Sequence, residues 1–553
     1  MGIRRRPLQF LAAGALSVAI ICFIAGALWV IGSASGERDQ FSSLDIAPAD
    51  SVFYMAINTE PSSSQWIAVS DKLGKLNAKE PIREAIDEQL LQFGLQFERD
   101  ILPLACDEGY LAITDIDTLA DNAGSGFVLA FRLRDADRAE QIFLDIAESN
   151  ETVFSEETYE GETIRTSEDA ADVASISFVG DVMIIGLSSA DVEGVVDVVQ
   201  GRAASAQTNQ RLTEMRERQE DDFLAWVYAD LGELWDVVEQ EMRQGLAAAG
   251  QDVDQIMEQA RANDRLSFSI SANGDGFTAD ASVLLAPGAE IPPGYGGRAF
   301  ESKFAEMVPS DTLFFYAGYD LYNTAYLPAR DTLEQFTPEG SNETIQEELN
   351  RFEDEIGFDL EDDLLSLLTG EYAIAFNGSE FESSEPEFNV LALLEVNDSS
   401  RMDQTMGKIE EFLEREQIAT VEDSETAGIR RWSSLDGPPE AIAWTQDEGS
   451  LAFGYPEAAV EEFAAGVSES LADTGDWKRT IGLMPEDTSS IMFVSLSRVL
   501  EEIQKSENAA DELAASTDNK VTLDDLTPIR SFAMASTPIE GGYGLRIAVL
   551  IAD

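Results

Sequence analysis

Pro48-Ala49-Asp50-Ser51-Val52-Phe53-Tyr54 returns 261 positions later as Pro309-Ser310-Asp311-Thr312-Leu313-Phe314-Phe315. In both places a Pro-x-Asp-Ser/Thr turn opens onto an apolar, β-rich run, which reads as a turn leading into a strand. Further matches lie outward from it in the same order. Gly94, Glu98, Asp100 and Leu104 correspond to Gly357, Glu361, Asp363 and Leu367. Leu133-Arg134-Asp135 through Arg138 corresponds to Val396-Asn397-Asp398 through Arg401, and Met183-Ile184-Ile185-Gly186 to Leu451-Ala452-Phe453-Gly454. Ala281 to Leu285 corresponds to Ile547 to Ile551. Five ordered matches at offsets of 261 to 268 predict two tandem copies of one unit.

The predicted boundary is the stretch Pro287-Gly288 to Ile291-Pro292-Pro293-Gly294, which can continue neither a helix nor a central strand. The organisation expected is therefore residues 1–36 as a basic stub and membrane anchor, 43–286 as copy one, 287–298 as linker and 299–553 as copy two. A third Pro-x-Asp-Thr opening, Pro485-Glu486-Asp487-Thr488 before an apolar run, suggests an inner half-repeat.

The 553 residues include 105 Asp plus Glu against 36 Lys plus Arg, a formal charge of −69, with no histidine and two cysteines. A hydrophobic content of 44% argues for folded domains despite that charge. The missing histidine excludes Ser-His-Asp and Cys-His catalysis and His-ligated metals. Such acidity excludes binding to a phosphate backbone. The acids are spread along both copies, as on solvated faces, and suit a saline medium or repulsion from anionic lipid.

Arg4, Arg5 and Arg6 precede a charge-free run from Pro7 to Gly32, apolar from Phe10 through Ile31. That length spans a bilayer and exceeds a usual signal-peptide core, although Ser33-Ala34-Ser35 would serve as a cleavage site. The basic cluster keeps the N-terminus inside, so the bulk of the chain is expected to be periplasmic or extracellular, on a single-pass anchor in the cytoplasmic membrane. Cys22 falls within the anchor, and Cys106 is then alone outside, with no intramolecular disulfide to form.

Within copy one, strands are expected over Ser51 to Ile57, Gly109 to Ile116 and Gly126 to Leu133. Helices are expected over Ile82 to Phe93, Asp135 to Glu148, Ala190 to Val199 and Leu234 to Ala249. Hairpins should turn at Glu160-Gly161, Gly180-Asp181 and Asn273 to Gly276. Consecutive short-linked strands favour an α+β fold: two tandem antiparallel sheets, each with helices packed on one side, preceded by one transmembrane helix.

The opening strand motif, the repeated Gly94…Glu98…Asp100…Leu104…Glu108 element with its partner Gly357…Glu361…Asp363…Leu367…Glu371, and the N-terminal anchor together resemble an uncharacterised bacterial envelope family, domain of unknown function 3352. The resemblance covers roughly residues 43 to 553 and implies a membrane-anchored or secreted bacterial protein with no transferable enzymatic activity. Copy one departs from the pattern, with Cys106-Asp107 where copy two has Thr369-Gly370.

The candidate site residues are the repeated acids Asp100, Glu108, Asp363 and Glu371. Paired carboxylates could bind a cation or perform acid/base hydrolysis, or could simply cap free backbone N–H groups. No calcium loop, phosphate loop or nucleophile elbow is present, so no catalytic residue, cofactor or dedicated metal ligand is assigned. Trp226, Trp432, Trp444 and Trp477 read as core residues or, alternatively, as a sugar platform. The expected function is a non-enzymatic binding or scaffolding module of the envelope. A carboxylate hydrolase and a carrier of an apolar ligand are the alternatives. The expected partners are the bilayer, an envelope protein and loosely held divalent cations, with no nucleic acid.

Overall fold

The computed structural model describes residues 43–91, 94–101, 104, 108–115, 126–149, 152–167, 174–235, 239, 243, 253–292, 295, 297–327, 329–330, 345–379, 387–435, 441–447, 449–505 and 522–552. The apolar run from Pro7 to Gly32, both cysteines and most of the helix expected at Leu234 to Ala249 lie outside these residues. Among the described residues no helix is long and apolar enough to cross a membrane.

The Pro-x-Asp-Ser/Thr motif closes on itself. Ser51 Oγ donates to the Pro48 carbonyl at 2.7 Å, Thr312 Oγ1 to Pro309 at 2.7 Å and Thr488 Oγ1 to Pro485 at 2.6 Å. Proline fixes φ and the hydroxyl three residues on satisfies its carbonyl, so the chain turns sharply into the strand that follows. All three hydroxyl residues are buried.

The chain divides at Pro287/Gly288 into two compact units. The strands of the first are β1 Phe53–Asn58, β2 Glu108–Ile113, β3 Phe127–Arg132, β4 Phe154–Tyr159, β5 Glu162–Ser167, β6 Ser175–Val179, β7 Val182–Gly186, β8 Ala225–Asp230, β9 Asn263–Ala272 and β10 Gly276–Leu285. Their order is β4-β5-β6-β7-β3-β2-β1-β8-β9-β10, antiparallel throughout. The second unit contains β11 Phe314–Tyr319, β12 Glu371–Ser379, β13 Glu387–Glu395, β14 Ala419–Asp423, β15 Ile429–Ser434, β16 Ile442–Asp447, β17 Ser450–Tyr455, β18 Ser490–Val494, β19 Ile529–Ile539 and β20 Gly542–Ile551. Its order, β14-β15-β16-β17-β13-β12-β11-β18-β19-β20, is the same sequence of pairings, again antiparallel.

The hairpins turn where the local residues dictate. Glu160 and Gly161 both take positive φ, +50° and +92°, as a primed two-residue turn requires. Asn273 Oδ1 accepts from the backbone of Asp275 and Gly276 at 2.9 and 3.0 Å, closing the β9–β10 turn. At the far end of that hairpin Asp264 is a bulged residue, because Leu284 faces Arg265 while Leu285 faces Asn263. Arg530 is bulged in the same way between Ile529 and Ser531 of the second unit.

The expectation of helices on one side of the sheet is corrected: they cover both faces. In the first unit Ala139, Ile142 and Phe143 of the helix Ala136–Ser149 pack on Leu129, Phe131, Met183 and Ile185. The helix Ser189–Val199 lies against the alternate residues, since a Cβ on Gly186 would stand 3.2 Å from Val192 Cγ2. In the second unit Met402 and Met406 of the helix Ser399–Arg415 pack with Trp444 and Leu451. Val460 of the helix Glu457–Ala465 packs with the adjacent, oppositely directed Ala443 and Ala452. Side chains alternate across a strand, so continuous apolar runs such as Val390 to Leu394 feed two layers at once. Gly454 matches Gly186, and there a Cβ would come within 2.6 Å of Val460 Cγ2. Both glycines let a helix rest on the sheet backbone.

Candidate functional site

Each repeated acid holds backbone or cationic groups of its own unit. Glu108 and Glu371 begin the matching strands β2 and β12. Glu371 is 3% exposed, and its carboxylate accepts from Ser302 Oγ at 2.5 Å, Lys303 N at 2.9 Å and Phe304 N at 3.2 Å. Those amides open the 3-10 turn Phe304–Glu306, whose free N–H groups need acceptors. Burial pushes the Glu371 carboxyl above its ordinary range, opposed by the three hydrogen bonds and the Lys303 charge. Glu108 accepts from Ser43 N at 3.1 Å and from Ser43 Oγ, at the start of the corresponding 3-10 turn Ser43–Asp45. Ser43 Oγ also meets the hydroxyl of Tyr54.

Asp100 and Asp363 lie elsewhere in their units. Asp100 is buried and accepts from Gln96 N at 2.9 Å and from Arg99 Nε at 2.9 Å, with Arg138 Nη2 at 3.7 Å. The hydrogen bond from Arg99 lowers its pKa most, against the opposing effect of burial. Asp363 accepts from Asp359 N at 3.3 Å, with Arg401 and Lys408 at 3.6 and 3.7 Å. Asp100 therefore sits with arginines where Glu108 sits with a serine turn, and the second unit repeats that separation. Among the described residues no group of three or more His, Cys, Asp or Glu side chains is placed to hold a metal ion.

The tryptophans face inward. Trp226 donates Nε1–H to Ser267 Oγ at 2.8 Å, and Trp477 meets Phe315 and Phe493 edge-on. Trp432 and Trp444 both donate to Glu410 Oε1 at 3.2 Å, beside Arg430 Nη2 at 2.8 Å from Glu410 Oε2. That shared carboxylate is a feature the sequence reading missed, since its donors come from two strands, Arg430 and Trp432 from β15 and Trp444 from β16, and meet a helix residue.

A second missed feature is the division of labour between sheet faces. In the first unit the side chains of Tyr54, Ala56, Tyr110, Tyr228, Ser267 and Ser269 are at most 1% exposed. The opposite face of the same strands carries Phe53, Met55, Ile113, Val227, Phe268 and Val283, all only half-buried. Cross-strand partners put these on one face: Phe53 with Ile113, Met55 with Val227, and Val227 with Phe268. The second unit repeats this with half-buried Phe314, Tyr316, Phe376, Met492, Met534 and Val549 at the matching register. Its opposite face again holds a fully buried set, Phe315 and Phe493 together with Ala317, Ala375, Ala533 and Ala548. Alternation alone could have located these positions, but it does not tell which face is left less covered.

A comparison with curated proteins finds no match. Among solved structures, crystal form I of TP0453 overlaps 46% of this chain and 82% of its own, at 11% identity and a TM-score of 0.26. Crystal form III of TP0453 overlaps 46% and 83%, at 12% identity and a TM-score of 0.26. Superpositions this weak leave fold and function to be read from the chain itself. The family comparison is different in extent: the profile of DUF3352, proteins of unknown function, matches residues 11–548. The chain belongs to the DUF3352 family.

Proposed function

We propose that this is a single-pass protein of the cytoplasmic membrane, N-terminus inside, whose duplicated α+β region outside the cytoplasm works as a non-enzymatic binding module. The duplication accounts for the repeated strand order, the repeated Pro-x-Asp-Ser/Thr turns and the matched bulges. The N-terminal apolar run from Phe10 to Ile31 supplies the anchor. The observation that carries the choice of binding over hydrolysis is the bonding of the repeated acids. Glu371 is saturated by one hydroxyl and two backbone amides, and Asp100 is held by arginine. Carboxylates so occupied are poor general acids or bases, because each would have to release its own turn to act.

The test is fractionation of native membranes, followed by capture of the full chain with what it holds. The expected result is recovery in the membrane pellet, loss of that recovery when residues 1–36 are removed, and reproducible enrichment of a bound component. Retention of a measurable hydrolytic activity that Glu371→Gln abolishes would overturn the reading.

A further inference from the structure

We infer that the turn at Asn273-Gly274 in the first unit is a site of spontaneous covalent modification, deamidation of Asn273 through a succinimide. The Gly274 nitrogen attacks Asn273 Cγ. The bond from Cγ to Nδ2 breaks, and Nδ2 leaves as ammonia with the proton that Gly274 gives up. Water, the one co-reactant, then opens the imide. Cleavage between Gly274 N and Cγ gives aspartate, and cleavage between Gly274 N and the backbone carbonyl of residue 273 gives isoaspartate.

The turn holds the parts of the first step in place. Asn273 Oδ1 accepts from the backbone N–H groups of Asp275 and Gly276 at 2.9 and 3.0 Å. Reaching past Gly274 to those donors folds the side chain forward over the peptide that carries the attacking nitrogen. The same two N–H groups face the oxygen that becomes an oxyanion in the attack, and donors fixed at that position lower the barrier to acyl transfer. Among the described residues, neither the Gly274 N–H nor Asn273 Nδ2 makes a hydrogen bond within the protein, so nucleophile and leaving group have no bond to give up. Gly274 is exposed and has no Cβ to obstruct the attack.

The chain has one other Asn-Gly, Asn377-Gly378, and its setting is the opposite. It lies inside β12, paired with Asn389 and Phe388 of β13, and Asn377 Nδ2 donates to Asp311 Oδ1 at 3.4 Å. An extended strand sends each side chain out of the pleat, away from the peptide that follows. The second unit's matching hairpin turns at Glu540-Gly541, with no side-chain amide to lose.

The product meets a counter-charge. Lys72 is fully buried, and its ammonium donates to the Gly274 carbonyl and to Asp71 at 3.2 Å. Aspartate at position 273 adds a carboxylate to the turn that this ammonium already holds. Isoaspartate lengthens the backbone of the same turn by one carbon and displaces Gly274 from Lys72.

The test incubates the full chain, native and urea-unfolded, in mildly alkaline heavy-oxygen water and follows residues 273 and 377 by peptide mass. The native rate at Asn273 is expected to equal or exceed its unfolded rate, with one heavy oxygen gained and isoaspartate among the products. Native Asn377 should convert about tenfold or more slowly than when unfolded, since the ladder must open first. Gly274→Ala takes no positive φ and meets no atom within 4 Å, so the fold should tolerate it. Its methyl crowds the attacking nitrogen and should slow conversion at 273 by about tenfold. A native rate at 273 below the unfolded one would show that the turn protects its amide and would overturn the inference, with no variant needed. Equal native rates at 273 and 377 would also overturn it, as would conversion at 273 that Gly274→Ala leaves unchanged.

Discussion

Asp476 pairs with Arg530 at the two positions where the first unit pairs Arg211 with Asp264, the charges exchanged. The Nη2–O distances are 3.1 and 2.9 Å. The equivalence is fixed by neighbours: Asn209 and Thr474 cap the two helices two residues earlier, and Asp264 and Arg530 are the bulged residues of β9 and β19. A bulge re-aims its side chain, and here it aims both toward the helix that follows the matching 3-10 turn. The surroundings have adapted too. Asp230, which also binds Arg211 at 2.7 Å, gives way at its matching position to Ser495, and Ser497 donates to Asp476 at 3.2 Å.

Arg211→Asp should destabilise the first unit by about 1–3 kcal/mol, since it leaves the buried Asp230 beside two further acids. Adding Asp264→Arg and Asp230→Ser installs the second unit's set and should recover most of the loss. Denaturant unfolding of the single and triple variants measures this. A triple variant no better than the single one would show that the two pairs are not interchangeable.

Gly454→Ala forces a methyl toward Val460 where 2.6 Å is available, and Gly186→Ala meets Asp191 Cβ at 2.7 Å. Each should cost about 1–3 kcal/mol through displacement of the covering helix. Thermal unfolding would show it as a lowered Tm. Gly161→Ala meets no neighbouring atom within 4 Å but is strained by its φ of +92°, so its loss should come without any change in helix packing.

Asp100 has its folded pKa lowered by Arg99, so its ionised form is favoured in the native state. The stability it contributes is complete above the ordinary aspartate range and is lost as pH falls through the lowered value. Asp100→Asn should lower stability at pH 7 by about 1 kcal/mol and flatten the acid limb of the stability curve. Glu371 runs the other way. Its raised pKa means that stability declines as pH rises from the ordinary glutamate value through the folded one, and Glu371→Gln removes that decline. Unfolding curves between pH 3 and 8 separate the two.

A formal charge of −69 makes self-repulsion a standing cost that salt relieves. The Tm should rise between 10 mM and 2 M sodium chloride, a range set by a screening length falling from about 30 Å to under 3 Å. A Tm flat across that range would show that the acids are already neutralised by neighbouring cations.

The elements that depend on a few adjacent residues were legible from the start. Glu160-Gly161, Asn273 to Gly276 and the repeated Pro-x-Asp-Ser/Thr turns announce their geometry locally. The placement of helices on both faces was not legible, because Val390 to Leu394 reads the same whether one side or two will be covered. The swapped ion pairs were hidden for a different reason. Arg211 aligned with Asp476 looks like a mismatch until Asp264 and Arg530 are brought beside them. Similarly, Arg430 and Trp432 of one strand and Trp444 of the next meet at Glu410 only once the sheet and its helix are assembled. Glu108 and Glu371 stood out in the sequence as a recurring pair, and their hold on a preceding turn required the fold to bring residues 65 to 69 positions apart together.

That hold has a mechanical meaning. The forty-two residues that precede Ser43 enter the first unit at the turn clasped by Glu108, and the chain then runs into β1. This strand is not at a margin of the sheet: β2 and β8 flank it on either side. A pull along the entering segment therefore loads two ladders of hydrogen bonds in shear, where an edge strand would peel from one ladder bond by bond. The module is fastened by its middle.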